Sequence, residues 1–159
     1  MEPTKDLRQP RLEKRAKLLE AGIDPYGSRF DVSESIAAAR QNPTPDREVR
    51  LAGRLMSHRD MGKSLFADIK DSTGKIQIYV QKQALSEEQF NLFKYYIDLG
   101  DIVGVIGKLF TTHAGELTVK VEAVTLLSKA IQPLPKEWRR DRYSIRAAVI
   151  FYLGSGYIR

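Results

Sequence analysis

The chain has 159 residues, 26 lysines and arginines against 20 aspartates and glutamates, a formal charge of +6, and no cysteine. Disulfides and thiolate metal sites are therefore excluded, and the only two imidazoles, His58 and His113, lie in different segments, so no metal centre is expected. The length suits one domain with a core and helical additions, the cationic excess points to an anionic partner, and with no membrane-length apolar run and no signal-like start in "MEPTKDLRQPRLEKR" the cytoplasm is the expected compartment.

In chain order, Pro10 to Gly22 reads as a helix, with proline suited to the first turn and glycine to the stop. Leu12, Ala16 and Leu19 predict a narrow apolar stripe. Arg8, Arg11 and Arg15, with Lys14 and Lys17, make the remainder basic. Arg8, Arg11 and Arg15 can face one strand of phosphates; the structural alternative is a solvated helix face. Asp31 with Glu34 resembles a capping box ahead of a short helix through Ala37, Ala38 and Ala39. "QNPTPD", Gln41 to Asp46, reads as a linker. Residues 1–46 are thus a helical extension and linker, 47–135 the main domain and 136–159 a tail.

From Val49 the period changes to two. Val49, Leu51, Gly53 and Leu55 alternate with Arg50, Ala52, Arg54 and Met56 as a first strand. "GKSLFADIKDSTGKIQIYV" gives two more strands about a turn at Asp71 to Gly74, with Leu65, Ala67, Ile69 and Ile76, Ile78, Val80 on one face. Ser86 and Gln89 open a helix marked by Phe90, Phe93 and Ile97 and ended by Gly100. "DIVGVIGKLF" predicts a fourth strand buried on both faces, its Gly104 and Gly107 permitting close backbone approach. After the loop "TTHAGE", "LTVKVEAVTLL" alternates as the fifth.

Three strands, a helix and two strands give a mainly β domain in the order of an OB-fold, a five-stranded Greek-key barrel; an open α+β sandwich also fits. An OB barrel binds oligonucleotides on the face of strands two and three. That face carries Phe66, Asp68 and Lys70 opposite Gln77 and Tyr79. Phe66 and Tyr79 suit base stacking, and Gln77 offers donor and acceptor to a base edge. The alternative is a cross-strand aromatic pair that only stabilises the sheet.

The motifs "GRLMSHRDMGKSLF", "DSTGKIQIY", "LGDIVGVIGKLFTTHAGEL" and "LLSKAIQPLP" occur in order. Together the span from about Arg11 to Trp138 resembles the N-terminal anticodon-binding domain of class II lysyl-tRNA synthetases. The resemblance implies that Phe66 stacks on the central uracil of a UUU-type anticodon and that Arg59 and Gln77 contact the same base. It implies that Glu116 helps read a neighbouring base, with a plain loop charge as the structural alternative. His58, Arg54, Lys63 and His113 are expected at the rim. The implied partner is lysine tRNA. ATP and Mg2+ are expected only with the catalytic domain of a full-length, homodimeric synthetase, and no cofactor for this chain. After Trp138 the pattern departs: "RRDRYSIRAAVIFYLGSGYIR" resembles the start of class II motif 1, with Ile145, Val149, Tyr152 and Leu153 as an apolar helical stripe, and motifs 2 and 3 are not in the sequence. Aminoacylation by this chain alone is therefore not expected. A nonspecific single-strand-binding OB protein is the alternative function.

Overall fold

The computed structural model describes residues 7–27 and 29–134. Its five strands are β1 (Glu48–Asp60), β2 (Ser64–Lys70), β3 (Lys75–Gln81), β4 (Ile102–Thr111) and β5 (Leu117–Ser128). They close into a barrel in the order β1-β2-β3-β5-β4, antiparallel except for β3 with β5. Closure sets aside the open sandwich and gives the OB-fold. The period-two alternation of the hairpin holds: Leu65, Ala67, Ile69, Ile76, Ile78 and Val80 are all at most 1% exposed and fill the barrel. The Asp71 carboxylate closes the turn by accepting from the amides of Thr73 at 2.7 Å and Gly74 at 3.0 Å.

Gly107 is required by the close β4–β5 pairing, since a Cβ there would sit 2.1 Å from the Lys120 carbonyl. β4 is buried on both faces only from Ile102 to Val105; from Ile106 it alternates. The reason is a second apolar cluster outside the barrel, made by Phe30, Ala52, Ile102 and Leu127, which covers that half of the strand and reaches Ile106 only in part.

Three helical segments dress the barrel: α1 (Gln9–Glu20), α2 (Ile36–Gln41) and α3 (Glu87–Asn91), the last running into a π-helical turn at Leu92–Tyr96. The wider turn buries Leu92 and Phe93 together. The Ser86 hydroxyl caps α3 by accepting from the Gln89 amide, as its spacing predicts, but Gln89 turns away and accepts from the Val124 amide.

Two expectations for the N-terminal region are corrected. The stripe of Leu12, Ala16 and Leu19 is not the buried side of α1: Leu18 is buried and Leu19 is 58% exposed. The helix docks through Leu18, which joins the apolar core, and through cations. One Arg11 nitrogen donates to the carbonyls of Leu99 and Ala130, both at 3.0 Å, and Lys14 donates to Asp98 at 2.6 Å. The α2 cap is Ser35, which accepts from the Ala38 amide, not the Asp31–Glu34 pair. Glu34 binds Arg47 instead, and the first α2 amides, Ile36 and Ala37, donate to Asp71 and Thr73 of the β2–β3 turn.

Behind α1 lies a buried charge network. Lys129 has no exposed side-chain surface and donates to Asp101 at 2.6 Å and Asp98 at 2.8 Å. Asp101 also accepts from the amides of Asp98 and Ala130. Burial works to raise the Asp98 pKa, but hydrogen bonds from Lys129 and Lys14 outweigh it and hold the carboxyl below its ordinary value. Asp101, more enclosed, is pushed up by burial despite the same lysine. The expected tail, 136–159, with its motif 1-like helix, lies outside the described residues.

Candidate nucleic-acid interface

The geometry of the site begins with an irregularity in β1. Its register against β2 passes from Leu55 opposite Ile69 to Ser57 opposite Asp68, a β-bulge. Before the bulge the odd residues Val49, Leu51 and Leu55 point into the barrel and are fully buried. An unbroken alternation would send Arg59 inward with them. The extra residue reverses the phase, so Arg59 stands opposite Phe66 on the outer face and His58 stands opposite the core residue Ala67.

On that outer face an open groove of about 600 Å³ is lined by Arg59, Phe66, Gln77 and Glu116 together with Met61, Asp68, Lys75, Thr112 and Ala114. The strands supply the floor, and the β1–β2 and β4–β5 connections supply the walls. Phe66 lies against Tyr79 with ring centroids 4.7 Å apart and planes tilted by 34°. The Arg59 guanidinium lies 5.9 Å from the Phe66 ring centre. Tyr79 does not line the groove; it sits between Phe66 and Phe110, its second ring contact, at 6.1 Å. The cross-strand aromatic pair is therefore present, and it backs Phe66 without closing the groove.

Gln77 is held by the Thr118 hydroxyl, 3.0 Å from its Oε1. Asp68 is held by Ser57, whose hydroxyl donates to it at 2.7 Å. Glu116 faces Arg40 of α2 across 3.8 Å, and Arg40 also donates to the Lys75 carbonyl at 3.1 Å. The lining thus mixes Arg59 and Lys75 with Asp68 and Glu116. A purely cationic groove would suit phosphate alone; cations, carboxylates, an amide and an aromatic face together suit the edge and ring of an unpaired base.

Residues 49–127 match the family described as the OB-fold nucleic acid binding domain, of tRNA anticodon-binding type. A lysine–tRNA ligase of Moorella thermoacetica is 45% identical over 140 residues, covering 87% of this chain and 28% of that protein. The lysine–tRNA ligase of Aquifex aeolicus is 59% identical over 92 residues, 58% of this chain and 15% of that protein. That of Bacillus subtilis is 42% identical over 146 residues, 86% of this chain and 29% of that protein. The chain belongs to the anticodon-binding OB-fold family of lysyl-tRNA synthetases. It spans little more than a quarter of the length of the Moorella and Bacillus relatives.

Within this anticodon-binding fold the remaining expected residues scatter. Lys63 and His113 are exposed in the connections that wall the groove, though neither lines it. Arg54, expected at the rim, is only 9% exposed and lies between Lys70 of β2 and Ile102 of β4. Arg8, Arg11 and Arg15 lie outside the groove; Arg8 is exposed, Arg11 is committed to the barrel carbonyls, and Arg15 donates to the Tyr26 hydroxyl at 3.2 Å. Sequence reasoning missed Met61, which is 68% exposed at the groove edge, and the supports Thr118, Ser57 and Arg40. The sequence carries no mark for the supports, since each acts through a residue distant in the chain.

His58, expected at the rim, is turned away by the bulge. Its ring stacks on Phe93 at 5.5 Å, and its Nε2 is buried with no hydrogen-bond partner among the described residues. Burial lowers its pKa from 6.5, opposed by Asp60 and by a hydrogen bond to the Phe93 backbone. The unfolded chain therefore takes up this proton before the folded one does. Stability contributed by neutral His58 is complete above 6.5 and is lost as pH falls below it. Denaturant unfolding across that range should show a declining midpoint, and His58→Gln should remove that step. An unchanged decline in the variant would assign the titration elsewhere.

Proposed function

We propose that the groove reads a UUU-type anticodon of lysine tRNA. Phe66 stacks on the central uracil, Arg59 and Gln77 bind its edge, and Glu116 meets a neighbouring base. The observation that carries this reading is the convergence of Arg59, Phe66, Gln77 and Glu116, from four separate segments, in one groove. Uracil offers one donor between two acceptors, so a cation, an amide and a carboxylate around a stacked ring complement it. The basic surface, Lys63 and Arg8 included, supplies phosphate attraction without base choice. The activity served is the attachment of lysine to tRNA in the cytoplasm, by a homodimeric synthetase whose catalytic domain brings ATP and Mg2+; this chain contributes recognition and holds no cofactor.

Titrating the purified chain with fluorescent RNA stem–loops tests this. A UUU loop should bind more tightly than loops altered at the central base. Equal affinity for unrelated single strands would replace the reading with nonspecific single-strand binding, and no binding at low salt would end both.

A further inference from the structure

Thr118 has no exposed surface and pairs with Gln77 across the parallel β3–β5 seam. Its hydroxyl has one proton to give and two acceptors within reach: Gln77 Oε1 at 3.0 Å and the Glu116 carbonyl at 3.2 Å. The Glu116 carbonyl already accepts from the Thr112 amide at 3.0 Å. A carbonyl can accept twice, but this one is already served, while Gln77 Oε1 is the nearer acceptor and has no other donor among the described residues, so we assign the proton to Gln77. Among the described residues no other group bonds the Gln77 side-chain amide, so this one hydroxyl decides which end of it faces the groove.

We propose that Thr118 is a specificity-determining residue that acts through Gln77. By holding Oε1 at the wall it turns the Nε2 amino group toward the groove, and the groove then presents donors. A base with a carbonyl oxygen at the facing position is accepted, and one with an amino group there is opposed. Uracil and cytosine differ in this way at C4 and share a ring shape, so stacking on Phe66 cannot separate them. Without the hydroxyl, the Gln77 amide can reverse and offer its oxygen to the amino group. This inference rests on the groove's being a base reader.

Thr118→Val removes the proton and keeps the shape. The Glu116 carbonyl retains Thr112, and the Gln77 amide opens to solvent, so no polar group is stranded. The probes are stem–loop RNAs that differ only in a central uracil or cytosine, titrated against wild-type protein, Thr118→Val, Thr118→Ser and Gln77→Glu, with melting temperatures from the same samples. The expected result is a uracil-over-cytosine preference reduced about three- to tenfold in Thr118→Val, partly through stronger cytosine binding, at an unchanged melting temperature. Thr118→Ser should restore it. Gln77→Glu, which can offer only acceptors, should turn the preference toward cytosine, and it decides the matter even if Thr118→Val folds poorly. A folded Thr118→Val with the wild-type ratio or a sharper uracil preference overturns the proposal, as does a Gln77→Glu that still prefers uracil. A wild-type protein with no preference among central bases would end the base-reading function itself.

Discussion

Lys129→Met should destabilise the fold by about 3–5 kcal/mol, the cost of removing one partner from a buried ion pair. The side chains of Lys129 and Asp101 both have no exposed surface and meet at 2.6 Å. Methionine fills much the same volume, so the loss is electrostatic: Asp101 keeps the amides of Asp98 and Ala130 but no cation. Lys14 still reaches Asp98, on the outer side of the network. Adding Asp101→Asn to Lys129→Met should recover part of the loss, because the stranded charge is then gone. Denaturant unfolding of the two single variants and the double variant measures this. A Lys129→Met midpoint close to wild type would show that the pair contributes little. The network also explains why two of the motifs that carry the resemblance are where they are. "LGDI" provides Asp101 and "LSKA" provides Lys129, and they meet beneath α1, outside the groove lining.

Phe66→Ala should weaken binding to a UUU stem–loop by about 1–3 kcal/mol, the range for one stacked base. The ring is backed by Tyr79 and flanked by Arg59, so the platform is assembled before RNA arrives. Phe66→Tyr should be milder, since it keeps the π-face. Because Phe66 is also half of a cross-strand aromatic pair, some loss of stability is expected as well. Melting and affinity measured on the same samples separate the two effects. A destabilised Phe66→Ala whose folded fraction binds UUU normally would assign the ring to the sheet alone.

The parts of the fold legible in the sequence are those where one side chain reports its own environment. Ile76, Ile78 and Val80 are apolar because they fill the barrel, and Gly107 lacks a side chain because the Lys120 carbonyl occupies that space. The four main groove residues were legible through resemblance to a family, and the hairpin face that carries Phe66 and Gln77 through alternation alone. What escaped depends on pairs. The β1 bulge exists only relative to β2, and no residue between Leu55 and Ser57 announces it, yet it decides the directions of His58 and Arg59. Arg11 and Lys14 look solvated because cations usually are, and the Leu99 carbonyl and the Asp98 carboxylate opposite them, with Leu18 in the apolar core, make that side of α1 the docked one.

The seam that closes the barrel is its shortest. β3 meets β5 over Gln77–Thr118, Ile78–Val119 and Tyr79–Lys120 alone, whereas β5 follows β4 along that strand's whole length. Parallel rungs are also the weaker kind, so spontaneous breathing of the cylinder should start at this clasp. Gln77 and Glu116 sit on opposite lips of it. A nucleotide gripped by both would fasten the clasp, and occupancy would be coupled to closure by mass action. If the groove reads a base, gripping it and sealing the cylinder would be one motion, and amide exchange along β3 should slow on binding while the β4–β5 ladder stays as it was.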